Sequence, residues 1–163
     1  KGENYFNEFD KRFESGELYE KDKAKIADSL KFKTKKGRIV YGGGGIMPDI
    51  FVPLEDSHGA EGLTMLMQSG LVNYFVFEQL DQNRKKFEKI SMEALEKELR
   101  SGNYFNNFKT YMAKGGLLFN LDNQKEKVLF YLQAEFVRQL FNEKAYYQLI
   151  LKKDNMVNMV LSK

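Results

Sequence analysis

The sequence predicts a mainly α-helical protein with a small β part. After Pro53, apolar residues recur at helical spacing to the end of the 163-residue chain. Before Pro53, short β-branched and aromatic runs alternate with turn residues, which is typical of strands. We therefore expect a short β-hairpin and strands at about 30–53, followed by a C-terminal helical bundle. The predicted regions are a polar, partly ordered extension (1–29), β segments (30–56) and a C-terminal helical domain (57–163).

The β part is predicted from three short runs. Residues 30–34 and 38–41 form the arms of a hairpin around the tight turn Lys35-Lys36-Gly37, and Ile50-Phe51-Val52 is expected to be a further strand. The four glycines at 42–45 tolerate close backbone approach, so they indicate a position where neighbouring atoms leave no room for a Cβ. A phosphate-binding loop is disfavoured because neither the Gly-Lys-Ser/Thr pattern nor a helix follows these glycines.

The helical part is predicted from apolar stripes and their end signals. Gly70 is expected to end a first short helix. Ser91, Asn142 and Asp154 are predicted N-caps, and the longest helix is expected to start near Asp122. The apolar stripes run through residues 63–67, 72–80, 104–112 and 128–140.

Composition excludes several functional classes. The 26 basic and 23 acidic residues are mixed along the chain, which argues against a nucleic-acid-binding surface. The basic stretch 21–36 is interpreted as a solvated face. No run of 18 apolar residues is present, so no membrane span is predicted. The absence of cysteine excludes thiol catalysis and cysteine-ligated metal, and neither a cofactor nor a metal site is predicted.

No catalytic residue is predicted within this chain. Residues 56–58 read Asp-Ser-His, but adjacent loop residues rarely face one another as a catalytic triad does. Glu93, Glu96 and Glu98 are interpreted as an exposed, solubilising pattern beside Lys97 and Arg100. The aromatic stripes have helical spacing, which favours a role in the core over base stacking.

The run from Gly37 to Pro53 resembles the last conserved block of the carboxyl-terminal processing peptidases, also called tail-specific proteases. The preceding Phe32-Lys33-Thr34 is also similar to that family, and weaker similarity continues through the helices to about residue 150. The matching motif positions, to which we assign a structural role, are Gly37, Arg38, Tyr41, Gly42, Gly43, Gly44, Gly45, Ile46, Pro48, Asp49, Val52 and Pro53.

The resemblance implies a parent enzyme that is a serine endopeptidase of the bacterial periplasm or cell envelope. In that family a Ser–Lys dyad precedes this block, so the resemblance implies that catalysis lies upstream and that this chain, which starts at Lys1 as a fragment would, is inactive alone. The implied partners are the upstream protease core of the same polypeptide and the peptide or protein substrates of the parent. A homodimer is another way to satisfy unpaired strands. The alternative is a stand-alone helical protein-interaction module with no link to proteolysis.

Overall fold

The structure contains a short β-hairpin and a larger helical region. The computed structural model describes residues 7, 10–11, 14–20, 23, 30–42, 50–54 and 61–162. The chain separates into two compact units, Lys1–Asp56 and Ser57–Lys163. The predicted fold class, mainly α with a small β part, is confirmed.

The hairpin of the first unit has the predicted arms and the predicted turn. Strand β1 (Lys31–Lys33) pairs antiparallel with β2 (Ile39–Tyr41), so that Phe32 lies opposite Val40. The turn is closed by a hydrogen bond from the Gly37 N–H to the Thr34 carbonyl at 2.9 Å. Gly37 has a φ of +81°, which places it in the left-handed region that follows a type I turn in three-residue hairpin loops.

The predicted strand at Ile50–Val52 is not formed. Residues 51–54 have no regular secondary structure, and the only sheet among the described residues is the two-stranded hairpin. The segment is held instead by a hydrogen bond from the Leu54 N–H to the Leu18 carbonyl at 2.9 Å. A β-branched sequence forms a strand only when a neighbouring strand accepts its hydrogen bonds, and no described segment does so.

The second unit is a succession of helices joined by short connections. The helices are α1 (Glu61–Gln68), α2 (Leu71–Gln82), α3 (Arg84–Phe87), α4 (Met92–Ser101), α5 (Tyr104–Lys114), α6 (Lys125–Leu140), α7 (Glu143–Leu151) and α8 (Asn155–Leu161). A single 3₁₀ turn, Asp122–Gln124, leads into α6. The longest described helix therefore begins with this turn at the predicted position.

The predicted helix ends are confirmed by their hydrogen bonds. The Ser91 and Asn142 side chains accept from the backbone N–H groups of Ala94 and Ala145, at 3.2 and 2.9 Å. Asp154 accepts from two N–H groups in the first turn of α8. Gly70, between α1 and α2, has a φ of +76°, which a residue with a Cβ rarely adopts.

The core of the helical unit is built around α6. This helix contacts α2, α4, α5 and α7. Five of its apolar side chains are almost completely buried: Val128, Leu132, Ala134, Phe136 and Val137. The ring centroid of Phe136 lies 5.4 Å from that of Phe87 and 5.7 Å from that of Tyr104. Burying one such side chain contributes about 1.5–3 kcal/mol, so the aromatic stripes serve mainly to build this core.

Candidate functional site

The motif positions fall partly within the described residues. Gly37, Arg38, Tyr41 and Gly42 belong to the hairpin or its immediate continuation, and Val52 and Pro53 lie in the irregular segment. Outside the described residues are Gly43, Gly44, Gly45, Ile46, Pro48 and Asp49, and also the Asp56-Ser57-His58 run. Among the described motif positions, regular secondary structure is found in the hairpin.

Strand β2 has an open edge. The Thr34 N–H donates to the Arg38 carbonyl, and the Gly42 N–H donates to the Leu30 carbonyl, both at 2.8 Å. Hydrogen-bonded pairs alternate with non-hydrogen-bonded pairs in an antiparallel ladder, so Ile39 and Tyr41 direct their backbone groups away from β1. No described residue hydrogen-bonds with these outward groups. The edge thus presents two N–H and two C=O groups to an additional strand.

The side chains around this edge are both apolar and basic. Phe32 and Ile39 are 57% and 56% exposed to solvent, and Val40 is 38% exposed. Residues 31–41 include five basic side chains and no acidic one. Lys35 and Lys36 occupy the exposed turn next to β2. An exposed apolar strand with open hydrogen-bonding groups is a surface that favours strand addition.

Gly42 lies where the ring of Phe32 leaves little space. A Cβ added at Gly42 would be 2.8 Å from Cε2 of Phe32. This close approach concerns Gly42 alone, because Gly43, Gly44 and Gly45 lie outside the described residues.

A polar cluster that the sequence analysis did not identify lies in the helical unit. Glu135 on α6 is only 8% exposed. Its Oε1 accepts hydrogen bonds from Asn73 on α2 at 2.8 Å, from Gln139 at 2.7 Å and from Arg138 at 3.0 Å. The bond to Glu135 raises the pKa of Arg138. The contacts of Glu135 link α6 to α2. In the sequence, the only indication of this cluster was a carboxylate within the apolar run of α6.

A second polar cluster links α3, α4 and α5. Lys86 Nζ donates to Glu98 Oε1 at 2.5 Å, and the Tyr104 hydroxyl donates to the same oxygen at 3.1 Å. The bond from Lys86 lowers the pKa of Glu98, the same bond raises the pKa of Lys86, and burial raises the pKa of Tyr104. The interpretation of Glu98 as only a solubilising residue is therefore wrong, because it joins three helices.

The helical unit also contains an apolar groove of about 500 Å³. Leu80, Phe87, Ile90, Leu140 and Phe141 line it, with Arg84 and Glu88 adding charge. Arg84 is already paired with Asp81. The groove thus combines an apolar lining with one cation and one anion, and it brings no nucleophile and base together.

In the described part of the chain, no three His, Cys, Asp or Glu side chains converge as metal ligands would. Nor does any helix in those ranges have the length and apolar character needed to cross a bilayer.

The fold is that of a mainly α-helical protein with a small β-hairpin. The sequence is similar to a family of unknown function, DUF8443, over residues 63–142, just under half of the chain. That region runs from α1 to the start of α7 and lies entirely in the helical unit. Comparisons with curated proteins and with solved structures find no match.

Proposed function

We propose that this chain is the C-terminal region of a serine endopeptidase of the carboxyl-terminal processing type. Hydrolysis in the parent enzyme is carried out by a Ser–Lys dyad upstream, where a neutral lysine accepts the proton of the serine as it attacks the scissile carbonyl. The parent acts in the bacterial periplasm or cell envelope. This chain contributes no catalytic residue and requires no cofactor.

The observation that carries the proposal is the open edge of β2, within the motif that resembles the family. Tyr41 and Gly42 belong to that motif, and the outward backbone groups of Ile39 and Tyr41 have no partner among the described residues. If β2 is buried in the core of the parent protein, these backbone groups must be hydrogen-bonded, so β2 needs a neighbouring strand there. In the proposed parent, that neighbour is a strand of the upstream protease core.

The helical unit has a structural or a substrate- or adaptor-gating role in this proposal. Its apolar side chains are buried against one another, and the caps of its helices form hydrogen bonds within the unit. It can therefore accompany the protease core as a separate accessory region.

The decisive experiment reads the coding sequence upstream of Lys1 and assays the complete protein on an unstructured protein substrate. We expect an upstream nucleophilic serine and lysine, and cleavage that is lost when that serine is replaced by alanine. The 163-residue chain alone should show no turnover. A reading frame without the dyad, or cleavage by this chain alone that is lost with Ser57→Ala, would refute the proposal.

One observation favours a second candidate, a stand-alone helical interaction module. The similarity to DUF8443 covers residues 63–142 and does not include the hairpin, as expected if the helices are used independently of any protease. The same reading-frame experiment separates the two candidates, because an independent module has no need for an upstream dyad.

A further inference from the structure

We infer that the strand completing the β2 edge is apolar at its centre and carries carboxylates at the end that adjoins the Lys35–Lys36 turn. This inference rests on the proposed function, in which the strand comes from the upstream part of the same polypeptide. What it adds is the chemical character of that strand, which the geometry and charge of the hairpin specify.

Backbone geometry requires the occupant to be an extended chain. Ile39 and Tyr41 are separated by one residue, and both direct an N–H and a C=O away from β1. Only an extended backbone repeats its own donors and acceptors with this spacing, at about 3.3 Å per residue and about 4.8 Å from β2. A helix or a compact side chain cannot satisfy all four groups.

Side-chain exposure requires the centre of that strand to be apolar. Ile39 and Val40 point to opposite faces of the hairpin because successive side chains alternate, and both are substantially exposed. Neighbouring β-branched or aromatic residues on the added strand would cover both faces, as cross-strand pairs do in any sheet.

Charge requires the end of the strand beside the turn to be acidic. Lys35 and Lys36 are exposed and adjacent, and residues 31–41 contain no carboxylate. A neutral strand leaves these charges as they are, whereas a basic strand adds repulsion within a Debye length of about 8–10 Å. Carboxylates at that end form favourable pairs with the two ammonium groups.

The same charge argues against the two other occupants of a basic edge. A second copy of the hairpin would bring another exposed Lys35–Lys36 pair to the edge. Nucleic acid would match the charge, but a phosphate backbone cannot pair with the outward N–H and C=O groups of β2 in the manner of a strand.

The test uses the full 163-residue chain and a synthetic peptide with four β-branched residues flanked at each end by two glutamates. Binding is followed through the amide NMR signals of Ile39 and Tyr41. The matched control peptide has glutamine in place of each glutamate. We expect the glutamate peptide to bind about threefold to tenfold more tightly at low salt, with the difference vanishing at about 1 M salt.

Two pairs of variants separate charge from backbone pairing. Lys35→Glu combined with Lys36→Glu should reverse the preference between the peptides, whereas Lys35→Gln with Lys36→Gln should only abolish it. Ile39→Pro removes one outward N–H but no ladder bond, so it should eliminate binding. Ile39→Ala keeps that N–H and should retain weakened binding.

Each other outcome overturns the inference. These outcomes are equal binding of the two peptides, no binding, tighter binding of a single-stranded oligothymidine, or a concentration-dependent dimer with protected Ile39 and Tyr41 amides. If the glutamate peptide is not preferred but an upstream dyad is present, the inference about the acidic strand is wrong and the proposed function stands. If the glutamate peptide is preferred but no upstream dyad exists, the proposed function is wrong and the inference about the acidic strand stands.

Discussion

Phe136 in the helical unit and Phe32 in the hairpin have the same side chain in opposite environments. Phe136 is completely buried and packs against two aromatic rings, whereas Phe32 is 57% exposed to solvent. The same contrast holds for the backbone. The capped helices satisfy their first N–H groups within the chain, whereas β2 directs two N–H and two C=O groups away from the hairpin.

The two units are therefore stabilised by different means. A helix makes its hydrogen bonds internally, so packing one apolar face is enough to stabilise it. A two-stranded hairpin is marginal in water, and a third strand or a covering element is needed to stabilise it. The helical unit therefore has its own core, whereas Phe32, Ile39 and Val40 of the hairpin remain exposed.

The largest expected contrast comes from removing each phenylalanine ring. Phe136→Ala should lower the free energy of unfolding by about 3–5 kcal/mol because it leaves a cavity in the core. Phe32→Ala should change it by about 0.5 kcal/mol or less, since the ring is exposed. Urea denaturation followed by far-UV circular dichroism measures both. Equal losses in the two variants would show that the hairpin shares the helical core.

The next largest effect is expected at the buried carboxylate. Glu135→Ala removes the acceptor for Asn73, Arg138 and Gln139, so the free energy of unfolding should fall by about 1.5–3 kcal/mol. Glu135→Gln keeps one acceptor oxygen and is the matched control, with a smaller loss. Indistinguishable denaturation curves for the alanine variant and the unsubstituted protein would contradict a structural role for this cluster.

Replacing one glycine in each unit compares the two units at the level of the backbone. A Cβ at Gly102 would lie 2.6 Å from Cε2 of Tyr104 and 2.9 Å from the Glu98 carbonyl oxygen. Gly102→Ala should therefore destabilise the helical unit by about 1–3 kcal/mol through overpacking.

Gly37→Ala is the hairpin counterpart. At a φ of +81°, alanine is strained by roughly 1–2 kcal/mol although space is available. The amide signals of residues 31–41 should shift, while the denaturation midpoint of the helices stays unchanged. A lowered helical midpoint would show that the hairpin and the helices unfold together.

A smaller difference in stability is expected between removing a helix cap and removing a hydrogen bond at the hairpin turn. Asn142→Ala removes the cap of α7 and should lower stability by about 1 kcal/mol. Thr34→Ala removes a bond from the Arg38 N–H that is 3.0 Å long and exposed, so only the local amides should respond. Hydrogen exchange measured by NMR tests both, and unchanged exchange in α7 would exclude the capping role.

The smallest expected effect depends on pH. The pKa of Glu98 is lowered, so its stabilisation is complete above the ordinary value of 4.5 and is lost as the pH falls through the folded value. Because Lys86 and Glu98 are partly exposed, Glu98→Gln should lower stability by about 0.2–1 kcal/mol at neutral pH. The difference between the two proteins should shrink in acid. A constant difference across that range would exclude ionisation of Glu98 as its cause.

Features that depend on local chemistry could be predicted from the sequence alone. The hairpin turn follows from Lys35-Lys36-Gly37, since glycine readily adopts the left-handed conformation that this turn requires. The helix starts at Ser91 and Asn142 follow from side chains that reach backbone N–H groups three residues ahead. Apolar periodicity identified the buried face of α6 because one face of a helix repeats every three or four residues.

Contacts between residues far apart in the chain could be identified only from the folded structure. Glu98 has the sequence context of an exposed helix, yet Lys86 and Tyr104 approach it from two other helices. Asn73 and Glu135 are 62 residues apart in the chain, and no local pattern records their hydrogen bond. Ile50–Val52 has strand-forming residues, but no strand in the described part of the chain lies beside it. Pairing across the chain depends on packing geometry, whereas turns and caps depend on neighbouring residues alone.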